Sequence, residues 1–287
     1  MRALKVLSDS PGGAESSHPC FDIKARHRHA RIHLPVAPRC NAQCNYCNRK
    51  ESCPNESRPG LASSILRPDA AVAAVGAALT KGIPLSVVGI AGPGDALANP
   101  RETFETLSVV HREFPRLALC LSTNGLALKE SVERLEAIGV THLTVTINAV
   151  DPEIAASIYR WVKVDGNVYW RSDAGKAAVD AQLEGLAAAV CRGFATKVNS
   201  VVVPGINDEH VVQVARSAAE IGADLHNCIP LIPVLGTPFE ALSEPTAETL
   251  SAVRDACGAY LPQMTHCTRC RADACGMLEA PNNTKGE

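Results

Sequence analysis

Four thiols crowd into the stretch "RCNAQCNYCNRKESC": Cys40, Cys44, Cys47 and Cys53. The first three have the spacing C-x3-C-x2-C, with Tyr46 inside the last gap. Three thiolates from one loop hold three irons of a four-iron cubane, a cluster that four cysteines normally complete. The remaining iron is then open to a small molecule. Zinc is the rival metal, but it prefers closed four-ligand sites assembled from pairs such as C-x2-C. Further thiols lie in "HPCF" (Cys20), in the apolar run around Cys120, and in "HCTRCRADACG", which carries the C-x2-C pair Cys267 and Cys270 and then Cys275. The chain has 12 cysteines. In a reducing compartment such clusters bind metal more often than they form disulfides. Cys191, Cys228 and Cys257 sit in helix-like or strand-like segments and read as buried, inert residues.

These residues need a scaffold. Of the 287 residues 46 % are hydrophobic but only 4 % aromatic, so the core is aliphatic, as buried parallel strands require. Net charge is −2 with both signs mixed, which marks no nucleic-acid surface. No apolar run approaches the roughly 20 residues of a membrane span, and the N-terminus lacks a signal-peptide core. The expectation is a soluble, cytoplasmic protein.

Six apolar runs predict strands at 30–37, 84–92, 116–123, 142–150, 195–205 and 223–232. Helical patterns fall near 68–80, 101–114, 128–138, 152–162 with 175–192, 208–221 and 246–259. Asp151-Pro152-Glu153 supplies a cap, a first-turn proline and an acidic first turn. Gly82, Gly139, Gly193 and Gly222 each follow a helical run, where a C-terminal glycine belongs. Strictly alternating β and α predicts a parallel sheet with right-handed crossovers. The expected fold is α/β: a partial (βα)6 TIM-like barrel over 29–259. A flank at 1–28 and a loop at 260–278 bear further cysteines and fold over the barrel mouth. A polar tail at 279–287 is expected to lack structure. The cysteine loop follows the first strand, at the strand C-termini where such barrels carry their chemistry.

"CNAQCNYC" resembles the signature of radical S-adenosylmethionine (SAM) enzymes, C-x3-C-x-aromatic-C, with the aromatic on Tyr46. The resemblance implies a full or partial βα barrel and a [4Fe-4S] cluster whose open iron chelates SAM. The reduced cluster then cleaves SAM to a 5′-deoxyadenosyl radical. "GIAGPGD", with Gly92, Gly94 and Asp95, ends the second strand and is similar to that family's SAM-holding glycine motif. Ser122, Thr123 and Asn124 end the third strand, and Thr146 and Asn148 the fourth. Their hydroxyls and amides suit ribose and carboxylate. Asn199 and Val201 in the fifth are placed to pack adenine. The alternative for each is a turn or cap residue.

A narrower likeness runs from about His18 to Leu278. "HPCF", "NESRPG", "GPGD" with "LANP", "LCLSTNGL", "KVNSVVVPGIND" and the C-terminal cysteine words together resemble the radical SAM maturases that build the nitrogenase iron–molybdenum cofactor. That resemblance implies three [4Fe-4S] clusters, one binding SAM and two consumed as substrates. The two are fused into an eight-iron precursor with a SAM-derived carbide and an added sulfur. It also implies cluster-delivery proteins, an electron donor such as a ferredoxin or flavodoxin, and a downstream carrier or scaffold. Many members carry a C-terminal carrier domain, and this chain resembles the short form.

On this reading Cys40, Cys44 and Cys47 bind the catalytic cluster. His33, Cys53 and Cys120 hold one substrate cluster, and Cys20, Cys267 and Cys270 the other. Three ligands apiece leave each substrate cluster releasable. His33 and Cys120 are alternatively plain strand residues. Cys275 is an alternative ligand or a bystander, and His18 and His266 are supporting donors or surface residues. Glu56 is a candidate acid–base residue or labile iron ligand. Arg49, Lys50, Arg58, Arg269 and Arg271 offset cluster charge or form ordinary surface ion pairs. Two other functions remain open: a radical SAM enzyme acting on an organic or peptide substrate with auxiliary clusters, and a non-catalytic iron–sulfur scaffold.

Overall fold

A computed structural model describes residues 17–51, 53–55 and 64–278. Glu56, Arg58 and the 279–287 tail lie outside the described residues. In chain order, β1 (Ala30–His33) leads into the cysteine loop, which contains β2 (Ala42–Cys44). Then come α1 (Pro68–Thr80), β3 (Leu85–Ile90), α2 (Pro100–Glu113), β4 (Ala118–Thr123), α3 (Val132–Ile138), β5 (Val140–Thr146) and α4 (Pro152–Ile158). They are followed by β6 (Tyr159–Val164), β7 (Asn167–Trp170), α5 (Arg171–Cys191), β8 (Ala195–Val202), α6 (Val211–Ile221), β9 (Leu225–Pro230), α7 (Ala247–Gly258) and β10 (Cys275–Gly276).

The six expected strands form one parallel sheet in the order β1-β3-β4-β5-β8-β9, curled into a half-barrel, with β10 antiparallel outside β1. Strand alternation divides the side chains. Ile32, Val88, Leu119, Leu121, Leu143, Val145 and Val198 face outward and pack against Val75, Leu107, Leu135, Leu186 and Val214 of the helices. This aliphatic layer is the main core, and at roughly 1.5–3 kcal/mol per buried side chain it supplies most of the driving force for the fold. The inward positions are polar: Arg31, His33, Cys120, Ser122, Thr144, Lys197, Asn199 and Asn227. The first strand stops at His33 rather than 37, because Pro35 cannot donate to the ladder.

One segment departs from expectation. The helix expected over 152–162 ends at Ile158, although its cap is as read, with Asp151 accepting from the N–H groups of Glu153 and Ile154. Residues 159–170 form a hairpin instead. "YRWVKV" and "NVYW" are rich in β-branched and aromatic residues, and Asp165-Gly166 between them have φ of 49° and 81°. Positive φ at both central positions is the type I′ turn that matches strand twist. Trp161 and Trp170 pair across the hairpin with ring centroids 6.3 Å apart. β6 then pairs antiparallel with β2, aligning Ala42 with Val162 and Cys44 with Tyr159. The hairpin thereby holds the cysteine loop as the edge of a three-stranded sheet.

The flanks do more than cover the mouth. After α7 the chain runs beside β9, where His226 N–H donates to Pro262 O and Met264 N–H to His226 O. It crosses to the other edge of the sheet, where Cys275 aligns with Ile32 of β1. Residues 262–276 thus seal the open side of the half-barrel. The N-terminal flank sits lower, with His18 and Phe21 stacked on His142 near the start of β5.

Candidate functional site: two adjoining cavities

Cys40, Cys44 and Cys47 share a cavity of about 360 Å³ with Cys53, Arg49, Lys50, Gly94, Asp95 and Asn124. The loop is fastened at several points. Asn45 N–H donates to Ile158 O at 2.8 Å, and Lys163 N–H to Asn41 O at 2.7 Å. Arg49 donates to Cys40 O at 3.0 Å while its guanidinium lies over the Trp161 ring. Behind the thiols runs a buried polar chain. Tyr46 O–H donates to Asn55 Oδ1; Asn148 Nδ2 donates to Tyr46 at 2.7 Å and Tyr159 at 3.1 Å; Gln182 Nε2 donates to Tyr159 and to Asn124 O. Buried networks of this kind rigidify what they hold, although Gln182 Oε1 is left without a partner among the described residues.

Amide N–H groups also reach the sulfurs: Asn124 Nδ2 is 3.7 Å from Cys40 Sγ and Asn55 Nδ2 is 3.9 Å from Cys44 Sγ. Burial pushes the Cys40 thiol up to about 12 and the Cys47 thiol up to about 11, and nearby Asp95 adds to the rise at Cys40. Cys44 is raised too, by burial and then by its two sister thiols. Such thiols are poor free nucleophiles, but a coordinated cation deprotonates a thiol outright. A three-thiol wall, already receiving N–H···S bonds, fits an iron–sulfur cluster with one iron left open.

The glycine motif also has a local structural part beside the one read in the sequence. A Cβ on Gly94 would lie 2.2 Å from Arg39 O, so its close approach is to the cysteine loop itself. Asp95 accepts from Leu97 and Ala98 N–H, Thr123 Oγ1 and Asn124 N–H, tying the β3 and β4 loops together. Gly92, Thr123, Thr146, Asn148, Val201 and Tyr46 line neither cavity. Asn148 accepts from Val201 N–H at 2.8 Å and is committed to the network just described. Of the SAM-assigned residues, Gly94, Asp95 and Asn124 line the first cavity, and Ser122 and Asn199 the second.

The second cavity, about 80 Å³, is the barrel interior. It gathers His33, Cys120, Cys20, Cys267 and Cys270, which the sequence reading divided between two sites. Cys53, grouped there with His33 and Cys120, lies on the wall of the first cavity, two residues from Asn55, which lines both. His33 aligns with Gly89 of β3 and Gly89 with Cys120 of β4. A Cβ on Gly89 would be 3.2 Å from His33 Cδ2, so the missing side chain makes room for the ring. Burial holds the imidazoles of His33 and His142 at about 4, and lowers that of His18 well below its usual value. Burial raises the Cys20 thiol to about 11.

Two inward cations escaped the sequence reading. Arg31 donates to Cys270 Sγ at 2.8 Å, to Gly276 O and to Met277 O. Lys197 is buried, with Nζ 3.7 Å from Met264 Sδ and 5.1 Å from the Phe21 ring centroid. Among the described residues no carboxylate pairs with Lys197. The signal was available: a charged residue two positions from a candidate ligand (Arg31 and His33), or from Asn199, points to the same face of its strand. Arg269 donates to Pro230 O and Pro54 O, both at 2.6 Å, fastening the C-terminal loop across the mouth. Arg271 instead pairs with Asp273 at the surface. His266 bonds Pro19 O at 2.9 Å, joining the flanks, and Cys275 is exposed. A larger concavity of about 700 Å³, between α5 and the β6–β7 hairpin, has neither thiol nor imidazole in its lining.

Residues 34–218 match the Radical SAM superfamily. The chain is 53 % identical over 92 % of its length to the FeMo cofactor biosynthesis protein NifB of Klebsiella pneumoniae, and spans 57 % of that relative. It is 46 % identical over 93 % of its length to NifB of Chlorobaculum tepidum, spanning 63 % of it. Among solved structures it resembles Streptococcus suis SuiB, with a TM-score of 0.58 at 13 % identity over 81 % of this chain and 48 % of that one. It also resembles methylornithine synthase PylB, with a TM-score of 0.52 at 14 % identity over 89 % and 77 %. At those identities the two structures share the fold alone. No described helix is long and apolar enough to cross a membrane.

Proposed function

Because this chain belongs to the radical SAM superfamily, we propose that the first cavity cleaves SAM and that the barrel interior receives iron–sulfur clusters as substrates for nitrogenase-cofactor assembly. Likeness to NifB proteins named for FeMo cofactor biosynthesis supports the direction of this reading. The observation that carries it is the barrel interior itself. An enzyme for an organic substrate has no need of two imidazoles, four thiols and the buried cations Arg31 and Lys197 in one adjoining space.

Cys40, Cys44 and Cys47 would hold the catalytic [4Fe-4S] cluster, which when bound supplies an open iron and a reducing electron for SAM. Asn124 and Asn55 donate to its thiolates, and the β2–β6 pairing keeps the loop from shifting. His33, Cys120, Cys20, Cys267 and Cys270 take the substrate clusters, and Arg31 and Lys197 offset their negative charge. Cys53, at the wall between, is a ligand for whichever substrate cluster lies nearest the SAM site. The cavity of about 80 Å³ is much smaller than the first, at about 360 Å³, so the sealing segment 262–276 yields when clusters enter. The product is an eight-iron precursor with a SAM-derived carbide and an added sulfur. Two SAM molecules are consumed, one as methyl donor and one for hydrogen abstraction. Delivery proteins, a low-potential electron donor and a downstream carrier complete the proposal.

The test is anaerobic reconstitution with methyl-labelled SAM. Both S-adenosylhomocysteine and 5′-deoxyadenosine are expected, with label in a high-nuclearity iron product. Deoxyadenosine alone from cluster-loaded protein would remove the methyl-transfer half. Label in an organic product would assign a different substrate.

A further inference from the structure

One group of ligand-type side chains lies outside both cavities. Asn227 and Ile229 of β9 face the barrel interior, and strand alternation turns His226 and Cys228 to the other face. There they meet Cys257 of α7, enclosed by Val202, Val211 and Ala215. All three ligand-type residues are 0 % exposed.

Hydrogen bonding fixes the imidazole. Ser200 Oγ donates to Ile147 O at 2.5 Å, which commits its single proton. In its 3.0 Å bond with His226 Nε2 the hydroxyl must therefore accept. Nε2 carries the ring proton, and Nδ1 presents a lone pair. That lone pair accepts from Gln263 Nε2 at 3.3 Å and faces Cys228 Sγ at 3.7 Å. Cys228 Sγ is 3.8 Å from Cys257 Sγ and 3.4 Å from Gln263 Oε1. The ligand atoms of His226, Cys228 and Cys257 lie within 4.8 Å of one another. A tetrahedral ion with bonds of about 2.3 Å to sulfur and about 2.0 Å to nitrogen sets its ligands roughly 3.8 Å (S to S) and roughly 3.5 Å (S to N) apart. The Cys228–Cys257 pair, at 3.8 Å, and the His226–Cys228 pair, at 3.7 Å, stand close to those separations.

We propose that His226 Nδ1, Cys228 Sγ and Cys257 Sγ form a buried structural site for a thiophilic divalent cation of the zinc class, with the Gln263 amide oxygen as fourth ligand. Two thiolates and an imidazole suit zinc and not magnesium or calcium, which prefer oxygen. Binding displaces the two thiol protons to solvent and changes no oxidation state. The ion ties α7 to β9 at the point where residues 262–264 leave for Cys267 and Cys270. It therefore anchors the root of the segment that seals the barrel.

The experiment measures zinc in the full chain, purified anaerobically from zinc-supplemented cells, reconstituted with iron and sulfide, and exposed to a chelator. One zinc per chain is expected beside the iron. Its X-ray absorption should show two sulfurs at about 2.3 Å and two nitrogen or oxygen neighbours at about 2.0 Å, a readout that needs no variant to fold. Cys228→Ser and Cys257→Ser should lose the zinc, and Cys267→Ser should keep it. Wild-type chain without zinc, zinc with an all-sulfur shell, equal loss in Cys267→Ser, or a Cys228–Cys257 disulfide in place of the ion would each overturn the assignment.

Discussion

The two cavities adjoin but are built on opposite principles. The first is framed around one local segment: a cysteine loop whose β2 strand is clamped by the β6–β7 hairpin and backed by a buried hydrogen-bond network. Its titratable wall carries thiols pushed upward and a buried Asp95. The second is assembled from residues distant in sequence, spanning Cys20 to Cys270, and is closed by both flanks. Its walls hold Arg31 and Lys197, and His18 and His33, whose imidazoles burial lowers below their usual range. A site for a resident cofactor gains from rigidity. A site whose contents must enter and leave gains from closure by flanks that open more cheaply than a core.

The largest expected effect tests that division directly. Cys44→Ala should abolish 5′-deoxyadenosine formation, a loss of at least about a thousandfold, or roughly 4 kcal/mol. Cys267→Ala should leave SAM cleavage intact while eliminating the high-nuclearity product. Loss of cleavage in both folded variants would erase the distinction between resident and consumed clusters.

Lys197→Met comes next. It keeps length and removes the buried cation, so substrate-cluster loading should fall about tenfold, equivalent to about 1.4 kcal/mol. Iron per chain would drop only in the second set, separable spectroscopically from the SAM-responsive cluster. Unchanged loading would mean that the cation serves the fold and not the cargo.

Acid should strike the floor of the second cavity's N-terminal seal in the cluster-free protein, where His18 and Phe21 pack on His142. His142 is held at about 4 against an unfolded value near 6.5. The unfolded chain binds more protons between those values, so stability is full above about pH 6.5 and declines as pH falls toward 4. At pH 5 the loss from His142 alone is about 2 kcal/mol. Denaturation midpoints from pH 7 to 5 measure it, and His142→Gln should flatten the slope. A slope unchanged in that variant would place the acid sensitivity elsewhere.

The smallest effect belongs to the first cavity. Gly166→Ala puts a Cβ at φ 81° with no contact within 4 Å, so only the backbone preference is lost. About 1 kcal/mol of destabilisation is expected, read as a lower thermal midpoint with full activity at low temperature. A larger loss of SAM cleavage than of stability would show that the hairpin also sets cluster geometry.

Much of this was legible in the chain. Cysteine spacing marked the first site, because ligands three and four residues apart come from one loop whatever the fold. The six strands were legible because each outward face is a run of Val, Ile and Leu that must be buried. The hairpin was readable too, from alternation around Asp165-Gly166, but a helical start at Asp151-Pro152 masked it. Other features had no local signal. That His33, Gly89 and Cys120 form one row depends on the register of three strands. That Lys197 faces thiols depends on curling the sheet. Cys228 and Cys257 read as inert packing residues until tertiary structure set them beside the His226 lone pair. Sequence by itself determined which residues carry ligand chemistry and which faces are apolar, since both follow from side-chain type and period. Only the tertiary structure decided which ligands share a cavity, because that rests on strand register and on where the chain ends return.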